Sequence, residues 1–436
     1  MARNIVHMAL PMTVAQLINI LYNVVDRMYL GRLPGHLALT GLGLCLPIIS
    51  ILMAFANLCG MGGAPLCSIH RGRGENGEAE HIMGNSFALL LLFGAGLTVL
   101  CLAFRRPILY LFGASDVTFP YANDYLTIYV LGTVFVMIGL GMNPFINSQG
   151  FSGMGMLTVA LGAVVNIVLD PIFIFLLGMG VRGAALATVI SQACSAVWVL
   201  CFLTGRRVIL RLRPAALRLR WARVRRILAL GASGFAMSMT NSLVQVLCNA
   251  SLQVYGGDLY VGVMTVINSV REVVSMPVQG ITNGCQPVLG YNYGAGEYGR
   301  VREGIRFTTV LTVGYSLAAW ALVMAVPELL IRIFNSEADL IAAGIPAFRI
   351  YFAAFFCMSF QFIGQSVFVG LGRSKNAVFF SLLRKAFIVA PLTLLLPALG
   401  MGVNGVFLAE PISNVLGGLA CILTMYATVY RPLGRP

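Results

Sequence analysis

The stretch Asn19-Ile20-Leu21-Tyr22-Asn23-Val24-Val25-Asp26 places an acid inside an apolar run that is long enough to cross a bilayer. On a helix, its four polar residues fall at i, i+3, i+4 and i+7, so they form one polar stripe. A carboxylate near mid-membrane costs roughly 2.5 to 3.5 kcal/mol, and such residues usually serve a function. Asp26 is therefore a candidate functional residue. The alternative is an acid near a helix end that reaches the headgroups, since Arg27 and Gly31 follow closely.

The composition predicts an all-α polytopic membrane protein. Of 436 residues, 58% are hydrophobic and 10% are charged, and the mean hydropathy is +0.87, which is too apolar for a water-soluble domain. Apolar segments of about 20 residues recur roughly twelve times, and a helix satisfies its own backbone polar groups in lipid. The predicted spans are residues 7–30, 38–61, 82–104, 121–142, 157–177, 183–204, 227–254, 260–283, 306–326, 342–369, 377–399 and 405–428.

The net charge of +14 could indicate a nucleic-acid partner, but the positions of the basic residues argue against one. With the N-terminus inside and alternating spans, 19 basic residues lie on the inner side and 7 on the outer side, as the positive-inside rule predicts. Nine of the inner arginines lie within residues 205–226, a stretch that could also bind anionic lipid. We therefore expect both termini in the cytoplasm, the lipid bilayer as partner, and no nucleic acid.

The two halves of the chain repeat each other at a constant shift of 222 residues. Because each half has an even number of spans, the copies enter the membrane in the same direction, which predicts a pseudo-twofold axis along the membrane normal. We predict an N-lobe over residues 1–204 with transmembrane helices 1 to 6, a basic cytoplasmic linker over 205–226, and a C-lobe over 227–436 with helices 7 to 12. The recurring residues are Gly62, Pro65, Gly72, Gly74, Glu75, Gly77, Gly178 and Gly180, which match Gly284, Pro287, Gly294, Gly296, Glu297, Gly299, Gly400 and Gly402.

Short glycine-rich turns fix the depth of three polar side chains. Asp26, Asp170 and Thr188 each lie five to eight residues from a glycine at the outer end of the N-lobe. At about 1.5 Å per residue they lie roughly 8 to 12 Å deep and can meet. Asn166, one turn before Asp170, shares its helix face. Pro171 removes a backbone donor and should kink that helix beside the acid.

Four motifs stand out along the chain: Leu21-Tyr22-Asn23-Val24-Val25-Asp26, Asn166-Ile167-Val168-Leu169-Asp170-Pro171, Gly180-Val181-Arg182-Gly183-Ala184-Ala185-Leu186-Ala187-Thr188 and Gln286-Pro287-Val288-Leu289-Gly290-Tyr291-Asn292-Tyr293-Gly294. In these motifs the sequence resembles the multidrug and toxic compound extrusion (MATE) family, in particular its bacterial MepA-like and DinF-like branches. The resemblance covers essentially the whole chain. It implies a monomeric antiporter of the bacterial cytoplasmic (inner) membrane, with twelve transmembrane helices in two lobes around a central cavity. Such a protein exports amphipathic, often cationic drugs by alternating access, in exchange for protons or sodium.

The resemblance also carries a coupling site. By position, the family's cation- and proton-linked cluster corresponds to Asp26, Asn166, Asp170 and Thr188. Two close carboxylates cannot both ionise cheaply in a low dielectric, so the pair should share one proton; a sodium ion could occupy the same oxygens. The alternative is a buried, hydrogen-bonded group that only holds helices together. We expect no catalytic residue and no cofactor apart from this coupling ion.

The second half does not duplicate the acid pair. The shift of 222 places Cys248 opposite Asp26 and Leu392 opposite Asp170, while Glu410 stands opposite Thr188. Candidate residues of the substrate cavity, for small-molecule drugs and organic cations, are Asn19, Tyr22, Asn23, Asn143, Asn241, Gln245, Glu272, Gln361, Gln365 and Glu410.

Several of these candidates have a second interpretation. Glu272 could be the salt-bridge partner of its neighbour Arg271. Gln361 and Gln365 share one helix face, so they either line the cavity or bridge helices. The basic pair at residues 384–385 is predicted to snorkel to the cytoplasm instead of binding substrate.

Two other functions compete with drug export. A lipid-linked precursor flippase of the same superfamily would call for a more cationic central cavity. A membrane enzyme such as a prenyl or acyl transferase would need paired acids or a His-Asp pair at a span end, and the sequence offers none. Drug export is therefore the favoured interpretation.

Overall fold

The computed structural model of the protein describes residues 1–32, 37–334 and 337–434. In these ranges the regular elements are all helical, which confirms the predicted all-α fold class. Eight helices are long and apolar enough to cross a membrane, and two further spans are helix pairs bent by 56° and 41°. Two of the eight are interrupted at Gly257 (φ 70°) and Gly400 (φ 97°), so each supplies two spans. The described helices thus account for the twelve predicted spans.

The helices form two similar series along the chain. The first series is α1 (Ala2–Gly31), α2 (Leu37–Gly72), α3 (Asn76–Ala103), α4 (Arg105–Leu111), α5 (Phe119–Leu131), α6 (Thr133–Ser148), α7 (Ser152–Pro171) and α8 (Val181–Thr204). The second is α9 (Trp221–Gly294), α10 (Tyr298–Ala325), α11 (Pro327–Phe334), α12 (Ala338–Phe352), α13 (Met358–Gly370), α14 (Ser374–Leu382), α15 (Ala390–Leu396) and α16 (Gly402–Met425). At a shift of 222 residues, α3 and α10 begin and end at equivalent positions.

Backbone geometry repeats with the same shift. Eight glycines with positive φ fall into four pairs separated by 222 residues, and L side chains rarely adopt this conformation. The φ values agree closely in two pairs, at 78° and 76° in the turns before α3 and α10 and at 57° and 55° before α8 and α16. The pairs are Gly74 and Gly296, Gly150 and Gly372, Gly178 and Gly400, and Gly180 and Gly402. The sequence repeat is therefore also a repeat of turn conformations.

The chain folds into two compact units. The N-terminal unit is Leu10–Phe235, and the C-terminal unit is Met1–Ala9 together with Ala236–Pro436. The predicted lobe borders lay at the linker, whereas the borders of these units fall inside the first and seventh spans.

The first turns of α1 and α9 are exchanged between the units. Ala9 packs in the C-terminal unit, where a side chain on Gly284 would clash with its backbone. In the N-terminal unit, a side chain on Gly231 would clash with the carbonyl oxygen of Leu58. Ala9 and Gly231 are equivalent at the shift of 222, so each half contributes the start of its first helix to the other unit.

The basic stretch 205–226 packs on the N-terminal unit. The side chain of Asn85 donates to the carbonyl oxygens of Ala216 and Arg218, both at 3.1 Å. The Oε1 atom of Gln149 accepts the backbone N–H of Leu210 at 2.8 Å. Hydrogen bonds from buried side chains to the backbone therefore hold this stretch in one conformation.

Candidate functional site

The predicted coupling residues meet inside the N-terminal unit. Helix α1 supplies Asp26, α7 supplies Asn166 and Asp170, and α8 supplies Thr188. Asp170 is completely buried, Asn166 and Thr188 are buried, and Asp26 is half-buried. The Nδ2 atom of Asn166 donates to Oγ1 of Thr188 at 3.3 Å, and this hydroxyl donates to the carbonyl oxygen of Ala184 at 3.0 Å. These bonds join α7 to α8 one turn from Asp170.

The buried carboxylate of Asp170 has no hydrogen-bond donor among the described residues. The carboxyl groups of Asp26 and Asp170 lie close enough to interact electrostatically. Both oxygens of Asp170, and Oδ1 of Asn166, are buried without a hydrogen-bond donor in the described parts of the chain. Buried acceptors without donors are unfavourable, so this cluster fits a positive charge. Carboxylate, amide and hydroxyl oxygens suit either a proton or a hard cation such as sodium.

Two tyrosines of α5 belong to the same cluster and were not predicted. Tyr125 and Tyr129 are buried, and their rings stack with centroids 6.1 Å apart. Tyr125 interacts with Asp26 and Thr188, and Tyr129 interacts with Tyr22. The only sequence signal was their i, i+4 spacing, which also describes ordinary helix core.

Pro171 changes the helix geometry beside the acid, as its position predicts. The α-helical part of α7 ends there, and Ile172–Leu176 continue as a π-helix. Gly183 at the start of α8 approaches this turn closely, because a Cβ atom on it would lie 2.6 Å from the carbonyl oxygen of Phe173. The missing side chain at residue 183 lets α8 bring Thr188 beside Asn166.

A cavity of about 200 Å³ lies in the N-terminal unit. Three predicted cavity residues, Asn19, Tyr22 and Asn143, line it. Asn23 is exposed, and its amide donates to the carbonyl oxygen of Asn19 at 2.8 Å. The other lining residues include the neutral amides of Gln16 and Gln192, together with residues of α6, α7 and α8.

A smaller cavity of about 30 Å³ lies in the C-terminal unit. Three predicted residues, Asn241, Gln245 and Glu410, line it together with Arg271 and Tyr351. Glu272 is exposed, and its carboxylate forms no ion pair within the described residues, so the alternative interpretation of a salt bridge to Arg271 does not hold.

The prediction that Arg384 and Lys385 snorkel to the cytoplasm is wrong. Both are buried and both contact Glu410. Arg384 donates to Oε1 of Glu410 and to Oδ1 of Asn414, each at 2.9 Å. The Nζ atom of Lys385 lies 3.1 and 3.0 Å from the two Glu410 oxygens. A carboxylate on the neighbouring helix stabilises both charges inside the protein, so neither side chain has to reach water.

The two glutamines of α13 connect helices. Gln361 donates from Nε2 to the carbonyl oxygen of Phe380 at 2.9 Å. Gln365 donates to the carbonyl oxygen of Ala377 at 2.9 Å and to Oγ of Ser381 at 2.7 Å. Of the two interpretations offered for this pair, the structure shows the bridge between α13 and α14.

Comparisons with known proteins agree with this architecture. The model of the MatE family matches residues 11–172 and 234–395, one range in each half. The multidrug export protein MepA of Staphylococcus haemolyticus (strain JCSC1435) is 23% identical over 421 residues, covering 97% of this chain and 92% of that protein. MepA of Staphylococcus aureus (strain MSSA476) is 22% identical, with 96% and 92% covered.

Solved structures show the same fold. A crystal structure of MATE in complex with MaL6 has a TM-score of 0.93 at 22% identity and covers 99% of this chain and 97% of that one. The outward-facing conformation of a multidrug resistance MATE family transporter of the MOP superfamily also has a TM-score of 0.93 at 22% identity, with 99% and 96% covered.

Proposed function

Since the chain belongs to the MatE family, we propose that it is a multidrug exporter of the bacterial cytoplasmic membrane. Family membership makes it a transporter and not a membrane enzyme. Its MepA relatives are multidrug export proteins, and the chain spans more than nine-tenths of their length. We further propose that it works as a monomer with both termini in the cytoplasm, where the positive-inside rule places them.

The proposed substrates are amphipathic compounds, often cationic. The N-terminal cavity of about 200 Å³ has neutral amide groups and a methionine, Met12, among its lining residues. Such a surface suits varied apolar compounds, since methionine adapts its shape. The acid pair of Asp26 and Asp170 gives this unit a negative site that attracts cations.

The proposed coupling uses the acid pair. The single observation that supports it is the pair of buried Asp170 oxygens that interact with Asp26 and have no donor among the described residues. Entry of a proton from outside neutralises this pair, rearranges the hydrogen bond between Asn166 and Thr188, shifts α1 and releases the drug. One charge crossing the membrane provides about 2.3 kcal/mol per 100 mV. A sodium ion on the same oxygens would serve the same role.

The test is drug efflux from vesicles in which a proton gradient and a sodium gradient are imposed separately. Efflux of a cationic dye driven by one of the two gradients, and lost in Asp26→Asn, is the expected result. Asp116→Asn, an exposed loop acid of the same unit, is the matched control. Gradient-driven export that persists in Asp26→Asn would refute the coupling scheme, while the absence of any dye efflux would refute the transport proposal.

A lipid-linked precursor flippase stays the second candidate, because the C-terminal unit contains buried cationic groups. Such a substrate has phosphate groups, which arginine and lysine bind well. The small volume of that cavity, about 30 Å³, argues against a pyrophosphate headgroup. Reconstituted vesicles that translocate a fluorescent polyprenyl phosphate, but no dye, would favour this alternative.

A further inference from the structure

The cavity of the C-terminal unit is surrounded by more positive than negative charge. Arg271, Arg384 and Lys385 face one buried carboxylate, Glu410, and the carboxylate of Glu272, which also interacts with Arg271, belongs to an exposed residue. Both oxygens of that carboxylate are already engaged, since Lys385 contacts each of them within 3.1 Å and Arg384 contacts one at 2.9 Å. Glu410 therefore offsets part of the local charge and has little capacity left for Arg271.

Arg271 is the cation of this group that forms no direct ion pair with the described residues. Its side chain is half-buried and lines the cavity, and it forms no hydrogen bond or ion pair with the residues the structure describes. Apolar side chains line much of the same space, and Asn241 and Tyr351 offer an amide and a hydroxyl donor there. The guanidinium interacts with Glu410 without direct contact, and an anion bound in the cavity would give it a direct hydrogen-bonded partner.

We propose that this cavity binds one small monovalent anionic group, held by the Arg271 guanidinium and the Lys385 ammonium. The group is either free chloride or a carboxylate of a transported compound, because both carry one negative charge and both accept hydrogen bonds from such donors. A cavity of about 30 Å³ admits a chloride ion or a single carboxylate group, and the rest of a large organic molecule would lie outside it. This site differs from the proposed coupling site, which lies in the other unit and attracts positive charge. The proposal depends on the export function only where the anion is part of a substrate.

Binding is tested first on the purified full-length protein in detergent, without transport. The thermal unfolding midpoint is measured at constant ionic strength while gluconate is replaced by chloride or by acetate. We expect both small anions to raise the midpoint of the wild-type protein in a saturable way, because a ligand that binds the folded state stabilises it. In Arg271→Gln the apparent Kd should weaken at least about tenfold, since a charged hydrogen-bonding partner is lost.

Three further variants make this result specific. Arg300→Gln removes an exposed arginine of the same unit and should respond like the wild type. Arg271→Lys keeps the charge and should retain part of the affinity, even if Arg271→Gln does not fold. Glu410→Gln removes the competing carboxylate and should bind chloride more tightly. Equal responses in the wild type and Arg271→Gln, weaker binding in Glu410→Gln, or a wild type insensitive to both anions would overturn the proposal.

The source of the anion is distinguished by transport. A rhodamine with a free carboxyl group and its methyl ester form a matched pair of dyes that differ by one negative charge. If the substrate supplies the carboxylate, Arg271→Gln slows export of the acid more than that of the ester, and chloride competes with the acid. If chloride itself is the ligand, both dyes require chloride and lose export together in Arg271→Gln. Failure of both dyes in the wild type would disprove the export proposal and leave the binding result unaffected.

Discussion

The two units of one repeated scaffold contain clusters of opposite charge, and these clusters occupy different positions of the repeat. The N-terminal unit has two acids, and the C-terminal unit has apolar or neutral residues at both of those positions and a cluster of basic side chains nearby. One aromatic position is kept. At the shift of 222, Asp26, Tyr129, Asp170 and Thr188 correspond to Cys248, Tyr351, Leu392 and Glu410. The repeat therefore preserves the helical scaffold, while the charged groups of the two units lie at different positions on it.

The residues at two equivalent positions explain why the two cavities differ in volume. Gly162 and Ala163 line the larger cavity, and their equivalents in the second half are Arg384 and Lys385. The two long side chains fill space that is open in the first half, and the volume falls from about 200 to about 30 Å³. Cavities of about 200 and about 30 Å³ thus arise from the same helix positions.

The comparison is tested most strongly by removing an acid from the N-terminal unit. Asp170→Asn should abolish gradient-driven dye export, because the neutral amide cannot take up the coupling proton or attract the ion. The unfolding midpoint should stay the same or rise, since the substitution removes repulsion with Asp26. Export is measured in vesicles and stability by thermal unfolding. Asp116→Asn serves as the control, and retained export in Asp170→Asn would show that the acid is structural.

The corresponding change in the C-terminal unit should mainly affect stability. Glu410→Gln leaves Arg384 and Lys385 buried without their counter-ion, which should reduce the free energy of unfolding by about 3 to 5 kcal/mol. Denaturant titration in detergent measures this. Glu328→Gln, which removes the acid of an exposed ion pair on α11, should cost less than about 1 kcal/mol. Equal losses in the two variants would mean that the buried cluster contributes no more to stability than an exposed ion pair.

An apolar substitution can reduce the volume of the larger cavity without changing any charged residue. Ala163→Leu places three additional carbon atoms at the wall of the N-terminal cavity and should weaken drug binding about tenfold. Dye binding by fluorescence anisotropy measures the effect. Val164→Leu, at the exposed neighbouring position, is the control. If both variants bind equally well, the compounds bind elsewhere.

The smallest expected effect concerns the unpredicted tyrosine. Tyr125→Phe removes a hydroxyl that interacts with Asp26 and Thr188, and the loss of one such contact is worth about 1 kcal/mol. Gradient-driven export should therefore slow about fivefold, with drug binding unchanged. Tyr110→Phe, whose exposed hydroxyl contacts Asp116, should have no effect on export. A loss of drug binding in Tyr125→Phe would place this side chain in the substrate site.

The sequence predicted the features that depend on spacing. The repeat, the two series of helices and the meeting of Asp26 with Asp170 all follow from periodicity and from turns marked by glycine. It did not predict Tyr125, because an aromatic residue in an apolar helix carries no signal that separates a site from core.

The burial of the basic pair was missed for a different reason. The prediction of snorkelling used only the length of the side chains and did not use the alignment of the two halves. The repeat aligns the basic pair with Gly162 and Ala163, and it aligns Glu410 with Thr188. The basic pair and Glu410 therefore both belong to inward-facing positions. An ion pair between residues 25 and 26 positions apart cannot be derived from composition, but the repeat would have indicated it.

The exchanged first turn of α1 has a mechanical consequence. Ile5 and Ala9 fix the beginning of this helix in the C-terminal unit, while Asp26 lies in the N-terminal unit. Pro11 follows the crossing point directly and removes a backbone donor, which makes it the natural pivot. If the proposed coupling pair takes up an ion and α1 shifts, the helix would bend at this proline. Uptake of a single ion would in this way become a displacement of the whole helix.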